Sequence, residues 1–132
     1  MDFASIRVIT ADVARLADFY EKATGTPASR LSEDFAELRT GRATLAIGST
    51  RTVGLMSPGA ASAGANHSVI IEFLVDDVDA VRENLAGLVT GFVMEPTTMP
   101  WGNRSLLFRD PDGNLVNFFT PVTPAASERL AR

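Results

Sequence analysis

Hydrophobic and polar residues follow the same order in two separate stretches of the chain, residues 6–20 and 71–85. Each stretch opens with an apolar run of strand length, continues with an aspartate, and then places apolar residues three or four positions apart. Asp12 in the first stretch aligns with Asp77, 65 positions later. The pattern predicts a strand followed by a helix in both stretches, with the aspartate as N-cap, because its carboxylate accepts hydrogen bonds from free amides of the first turn.

Short strands separated by turn residues follow the predicted helix in each half of the chain. The predicted strands are 4–10, 28–32, 34–39, 43–48 and an additional short strand at 53–56 in the first half, and 68–75, 92–98, 103–109 and 114–120 in the second. The last two strands are joined by Asp-Pro-Asp-Gly-Asn at residues 110–114. Proline presets φ, and glycine and asparagine tolerate positive φ, so this segment predicts a tight turn.

The repeated order β-α-β-β-β predicts an α+β fold made of two βαβββ modules in a pseudo-twofold arrangement, with mixed sheets curved around a central cavity. We expect a single domain over residues 1–122, in which module one is 1–56 and module two is 67–122. The small and glycine-rich segment 57–66 is the predicted linker. The tail 123–132 is expected to be frayed or a short surface helix. A hollow between two such modules is a natural place for a ligand.

Side chains alternate along a strand, so the more polar set of each first strand is expected to line the hollow. In the first module this set includes Arg7, and in the second it includes Glu72, which is equivalent to Arg7 under the 65-residue shift. Two interpretations of this pair stay open. The pair is either a structural salt bridge between the halves or an ion pair that opens to hold a polar ligand.

Composition excludes several classes of function. The chain has 132 residues, a hydrophobic fraction of 45% and a formal net charge of −4, which argues against nucleic acid as a partner. No apolar run is long enough for a membrane span, and the N-terminus carries no evident signal peptide, so no membrane partner and a cytoplasmic location are expected. Cysteine is absent, which removes disulfides, thiolate metal sites and cysteine nucleophiles.

The chain resembles the vicinal oxygen chelate superfamily, which includes glyoxalase I, extradiol dioxygenases, and fosfomycin- and bleomycin-resistance proteins. The resemblance covers about residues 4–120 and is carried by the segments VITADVARLADFYEKATG, IEFLVDDVDAVRENL and PWGNRSLLFRDPDGNLVNFF. It implies paired βαβββ modules, a small-molecule ligand and commonly a homodimer.

The metal-dependent enzymes of this superfamily place four ligands on the strands that face the hollow. Carried over to this sequence, those positions are Ser5, Leu45, Ile70 and Asn117. Divalent metals of this kind need imidazole or carboxylate donors, which none of the four provides. We therefore expect no metal and no cofactor. His67, the only histidine, is either a surface residue at the end of the linker or a lone general base.

Without a metal, affinity must come from apolar area, aromatic rings and a few polar groups. Trp101 lies in a loop where the resembling bleomycin-resistance proteins often carry an aromatic residue near the ligand groove, although a tryptophan that caps a hydrophobic edge is the alternative. Leu115 and Phe119 are two positions from Asn117 on the same predicted strand, so they are expected to face the hollow with it. Arg104 either reaches the mouth of the hollow or is a solvated charge at a strand end. The expected ligand-binding residues are Arg7, Glu72, Trp101, Arg104, Leu115, Asn117 and Phe119.

Two classes of function remain. The missing metal ligands favour a metal-free small-molecule-binding protein that sequesters a drug or metabolite. The alternative is a superfamily enzyme (a lyase, isomerase, dioxygenase or thiol transferase) with a displaced metal site or with metal-free acid/base chemistry.

Overall fold

A computed structural model describes residues 1–131, and within them the predicted β-α-β-β-β order occurs twice. None of the helices in these residues is long and apolar enough to cross a bilayer. The elements are β1 Ser5–Thr10, α1 Val13–Thr24, β2 Ser29–Ser32, β3 Phe35–Arg39, β4 Thr44–Ser49, α2 Thr50–Met56, β5 Ile70–Leu74, α3 Val78–Leu85, β6 Met94–Thr98, β7 Asn103–Arg109, β8 Leu115–Pro121 and α4 Pro124–Leu130.

The strands form two four-stranded mixed sheets, ordered β1-β4-β3-β2 and β5-β8-β7-β6. In each sheet one pair is parallel, β1 with β4 and β5 with β8, and the others are antiparallel. The α+β fold class predicted from the sequence is confirmed. The chain divides into two compact units: the first comprises residues 1–67 with 111–113, and the second comprises 68–110 and the residues from 114 onward.

Helix α1 begins and ends where the sequence pattern predicts. The Asp12 carboxylate accepts a hydrogen bond from the Arg15 amide at 3.0 Å, and Gly25 ends the helix with a φ of 70°. Apolar residues at helical spacing, among them Leu16 and Tyr20, are fully buried. They form the side of α1 that packs on β3 and β4, so the core of the first unit lies between this helix and one face of the sheet.

Helix α3 covers one face of the second sheet in the same way. The Asp77 carboxylate caps it by accepting from the amides of Asp79 and Ala80, at 3.1 and 3.2 Å. Beneath the helix, Phe108 and Phe118 meet edge to face with ring centroids 5.0 Å apart, and both are buried. This aromatic contact identifies the helix side of the second sheet.

The predicted turn at 110–114 is held by its own polar side chains. The Asp110 carboxylate accepts from the backbone amide of Asn114 at 2.9 Å and from its side-chain amide at 2.8 Å. Gly113 has a φ of 84°, which a side chain would disfavour. The turn residues 111–113 belong to the first unit, where the Arg15 guanidinium donates to the Pro111 carbonyl at 3.0 Å.

Two segments show what local patterns leave undecided. The predicted strand at 53–56 is wrong, because these residues belong to helix α2, in which only Val53 is buried. A helix satisfies its own backbone groups, whereas a lone strand there would leave them unpaired. In the tail, the short-helix alternative is the one observed: Thr123 accepts from the Ala126 amide at 3.2 Å at the start of α4. Arg132 lies outside the described residues.

Candidate functional site

The second sheet carries a mixed polar and apolar face on the side opposite the buried Phe108 and Phe118. The register of β5, β8 and β7 determines which side chains share it, because Glu72 lies opposite Asn117 and Asn117 lies opposite Leu107. We call this surface the Asn117 face. Its members are Ile70, Glu72 and Leu74 on β5, Asn103, Ser105, Leu107 and Arg109 on β7, and Leu115, Asn117, Phe119 and Pro121 on β8.

A carboxylate and an amide form the polar centre of the Asn117 face. The Asn117 side-chain nitrogen donates to a carboxylate oxygen of Glu72 at 2.8 Å. Glu72 is exposed, whereas Asn117 keeps only 9% of its surface accessible. The other polar atom of Asn117, Oδ1, is buried without a hydrogen-bond partner. Sequence analysis selected both residues, but it did not predict that they bond to each other.

Apolar side chains surround this polar pair. Leu115 and Phe119 flank Asn117 on β8, and both are half-buried. Their predicted parity with Asn117 agrees with the strand register, in which Leu115 pairs with Ile70 and Phe119 with Leu74. The combination of a few polar groups and apolar walls is typical of surfaces that bind small organic molecules.

Arg104 lies on the other side of the second sheet from the Asn117 face, and its role in ligand binding stays a prediction. It is adjacent in sequence to Ser105, which is on that face, so Arg104 points to the opposite side of β7. There its guanidinium binds both carboxylate oxygens of Asp79 on α3, at 2.9 and 3.0 Å. These hydrogen bonds lower the pKa of Asp79 and raise the pKa of Arg104.

Trp101 lies in the loop between β6 and β7, where the backbone is fixed while the indole is exposed. Its carbonyl accepts a hydrogen bond from the Arg129 guanidinium of α4 at 2.6 Å, and 59% of its surface is accessible. A tryptophan that capped a hydrophobic edge of the fold would bury most of its ring against that edge. The structure therefore gives the capping interpretation little support and leaves the ring free for contact with a ligand.

Arg7 lies on the corresponding face of the first sheet, opposite Ala46. Within its unit it stacks over the Phe35 ring, 5.0 Å from the centroid, and donates weakly to the Met56 sulfur at 3.7 Å. Gly48 leaves the space for this packing, since a Cβ there would lie 3.2 Å from Arg7 Cδ. Arg7 and Glu72 belong to different units, and their pairing stays a prediction.

Glu37 is a site candidate that sequence reasoning missed. It lies opposite Ala46 on the same face as Arg7, its side chain is only 19% exposed, and its ion pair with Arg39 is long at 3.4 Å. The signal was present in the sequence FAELR, where alternation puts the buried Ala36 and Leu38 on one face and Glu37 on the other.

The fold defines a protein of two βαβββ units, and comparison with known proteins identifies its family. A family model for the Glyoxalase/Bleomycin resistance protein/Dioxygenase superfamily matches residues 2–118. The chain therefore belongs to this superfamily, as the sequence resemblance predicted. No protein of curated function matches its sequence significantly.

Solved structures support the same fold. A glyoxalase/bleomycin resistance protein/dioxygenase family enzyme from Burkholderia phytofirmans PsJN is 18% identical with a TM-score of 0.80, over 92% of this chain and 100% of that chain. A protein of unknown function from Agrobacterium tumefaciens is 22% identical with a TM-score of 0.79, over 92% and 95% of the two chains. A glyoxalase/bleomycin resistance protein/dioxygenase from Nocardioides is 19% identical with a TM-score of 0.75, over 94% and 85%.

The strand register corrects one of the four positions at which the resemblance predicts metal ligands. Leu45 pairs with Ile6 and is buried on the helix side of the first sheet, whereas Ala46 pairs with Arg7 on the other face. Ala46 is thus the equivalent of Asn117. The equivalence assumed from the two glycine turns fails because Ala46 is five positions after Gly41, whereas Asn117 is four positions after Gly113.

The corrected set is no better suited to a metal. Ser5, Ala46, Ile70 and Asn117 supply a hydroxyl and an amide, with no imidazole or carboxylate. Among residues 1–131, no group of three or more histidine, cysteine, aspartate or glutamate side chains is placed to hold a metal ion. The donor set therefore does not fit the divalent metal that the superfamily's enzymes use.

Proposed function

We propose that this protein binds a small organic molecule on the Asn117 face without the help of a metal, and that it acts by sequestering that molecule. The observation that carries the proposal is the Glu72–Asn117 pair. The Asn117 side-chain oxygen is buried without a hydrogen-bond partner, and the side chains beside it are apolar. A buried polar atom without a hydrogen bond costs about 1–3 kcal/mol, and a ligand that supplies the bond would recover part of this cost.

Purified protein should be tested by metal analysis beside a thermal-shift screen of metabolites and drug-like compounds. We expect substoichiometric divalent metal, a melting temperature that chelator leaves unchanged, and at least one compound that raises the melting temperature through binding to the folded state. One divalent ion per chain, with a melting temperature that falls with EDTA and recovers with zinc, nickel or manganese, would contradict the proposal.

A second candidate function is catalysis in which Glu72 is a general base. The supporting observation is that Glu72 is an exposed carboxylate whose position is fixed by the Asn117 amide. A base must lie within hydrogen-bond reach of the proton that it removes, and an exposed carboxylate on a ligand-binding face meets that need. Compounds that bind should therefore be incubated with wild type and with Glu72→Gln. Turnover that the variant loses would favour an enzyme, and binding without turnover would favour the sequestering protein.

A further inference from the structure

We propose that the group anchored by Glu72 and Asn117 is a protonated amine carried on an apolar body. This inference rests on the proposed function and names the class of its ligand. The argument starts from the orientation of the Asn117 amide, which follows from its partner. An ionised carboxylate only accepts hydrogen bonds, so the Asn117 atom that faces Glu72 must be the nitrogen.

Two oxygen atoms of the pair then remain as acceptors, beside the second N–H of the Asn117 amide. Asn117 Oδ1 has no donor, and an ionised Glu72 keeps a second carboxylate oxygen beside the one that binds Asn117. A group that satisfies both oxygens must donate more than one hydrogen bond. An ammonium group meets this requirement, whereas a carboxylate or phosphate would be repelled by Glu72, and a hydroxyl would donate only once.

Glu72 forms no ion pair with a cation of the second unit within the described residues. Arg82 is paired with Glu95 and Arg104 with Asp79, and Arg109 lies opposite Leu115, not opposite a neighbour of Glu72 on β5. Arg104 is held on the opposite side of the sheet. Within its own unit, the carboxylate of Glu72 is therefore available to a charged ligand, and hydrogen bonds between charged partners are about twice as strong as neutral ones.

The surroundings of the pair determine the rest of the ligand. Leu74 lies beside Glu72 on β5, and Leu115 and Phe119 lie on either side of Asn117 on β8. A ligand whose ammonium group binds the pair would lay its body along these side chains, so an aromatic or aliphatic body is favoured over a polar one. Asn117 Oδ1 is covered, so a donor reaches it after neighbouring side chains change rotamer, as is common on binding.

Three compounds with the same phenyl body and different head groups test this assignment: 2-phenylethylamine, 2-phenylethanol and 3-phenylpropanoate. Each is titrated into the isotope-labelled full chain, and the NMR signals of the Asn117 side-chain amide and the Glu72 backbone amide are followed. We expect 2-phenylethylamine to shift both signals and to bind most tightly. Glu72→Gln should weaken amine binding about tenfold and leave the alcohol nearly unaffected, because only the amine loses a charge-assisted bond.

Glu83→Gln is the matched control, because it removes the same charge from an exposed position on α3 in the same unit. It should change amine binding less than twofold. If the two variants lose the same affinity for 2-phenylethylamine, the effect comes from the net charge of the protein and not from contact with Glu72, and the assignment is wrong.

The outcomes separate this inference from the proposed function. If the propanoate or the alcohol shifts the Asn117 and Glu72 signals as strongly as the amine, the ammonium assignment is wrong, although the face still binds small molecules. If none of the three probes shifts either signal, the assignment is wrong, and the Asn117 face loses its support as the binding surface as well.

Discussion

Gly102 fixes the loop that presents Trp101. Its φ of 93° is unfavourable for other residues, and a Cβ at this position would lie 2.2 Å from Thr123 Oγ1 and 3.0 Å from the Ala126 Cβ. The Gly102 carbonyl also accepts from the Val122 amide at 2.8 Å. The close approach of α4 to this loop thus depends on the absence of a side chain.

Replacing Gly102 by alanine should destabilise the protein by at least about 1 kcal/mol, from backbone strain and from the collision with α4. Gly54→Ala is the matched control, because Gly54 lies within α2 and a Cβ there meets nothing within 4 Å. That control should leave stability unchanged or raise it by up to about 1 kcal/mol. Urea unfolding of the two variants measures both effects, and equal stabilities would contradict the role given to Gly102.

The exposed indole of Trp101 should report on ligand entry. We expect aromatic compounds from the thermal-shift screen to change Trp101 fluorescence, and Trp101→Ala to weaken their binding about fivefold, which corresponds to roughly 1 kcal/mol of ring contact. Because the side chain is largely exposed, the variant should unfold at nearly the wild-type temperature. A strongly destabilised variant with unchanged affinity would instead make Trp101 a structural residue and remove it from the site.

At the scale of secondary-structure elements, Asp34 ties the turn between β2 and β3 to the start of α2. Its carboxylate accepts from the Ser49 hydroxyl at 2.8 Å and from Arg51 Nε at 2.6 Å, while its carbonyl accepts from the Ser49 amide at 2.8 Å. Ser49 is the N-cap residue of α2 but makes no side-chain cap to the helix. Its hydroxyl hydrogen-bonds to Asp34 instead.

The hydrogen bond from Arg51 lowers the pKa of Asp34, with Ser49 as a second cause. A carboxylate with a lower pKa in the folded state contributes stability above its unfolded pKa, and this contribution disappears as pH falls through the folded value. Asp34→Asn should therefore melt at a lower temperature at neutral pH and lose less stability on acidification than wild type. Thermal melts between about pH 7 and pH 2 test this, since the unfolded value for aspartate is about 3.9.

Glu33→Gln is the control for that experiment, because it removes the neighbouring exposed carboxylate and leaves the hydrogen bonds of Asp34 in place. It should retain more of the wild-type acid dependence than Asp34→Asn. Identical pH profiles for Asp34→Asn and wild type would show that these contacts contribute nothing to stability.

The Arg104–Asp79 pair joins β7 to α3, and we expect it to affect stability without affecting binding. Arg104→Gln removes the two-point contact with the carboxylate and should lower the melting temperature modestly, since exposed ion pairs contribute little. Affinity for 2-phenylethylamine should be unchanged, because Arg104 is on the helix side of the sheet. A several-fold change in that affinity, in a variant that remains folded, would show that Arg104 contributes to ligand binding.

At the scale of the whole molecule, we predict a homodimer. The edge strands, β1 and β2 in the first sheet and β5 and β6 in the second, leave backbone groups unpaired within their sheets. Leu31 on β2 is a large apolar side chain with 62% of its surface exposed. Unpaired strand edges and exposed apolar residues favour association with a second copy. Light scattering at micromolar concentration should give twice the 14.1 kDa mass of the chain, and a monomeric mass would contradict the prediction.

Features that depend on short stretches of chain were predictable. The caps at Asp12 and Asp77 and the turn at 110–114 are formed by residues within a few positions of one another. Strand alternation assigned Asn117, Leu115 and Phe119 to one face for the same reason, since it depends only on parity along one strand. Helix and strand periodicity is a local property, so the repeated βαβββ order could be predicted from the sequence itself.

The tertiary structure decided how distant segments meet. The register between β1 and β4 placed Ala46 rather than Leu45 opposite Arg7. The pairing of β7 with β8 placed Arg104 on the helix side, where it binds Asp79, and residues 50–56 became a helix. The bond between Asn117 and Glu72 joins residues 45 positions apart. Such contacts depend on which strands pair and in what register, and a one-residue shift of register exchanges the two faces of a strand. The sequence by itself therefore determined the repeated βαβββ order and the alternation of side chains along each strand, and the pairing of strands determined which polar groups share a face.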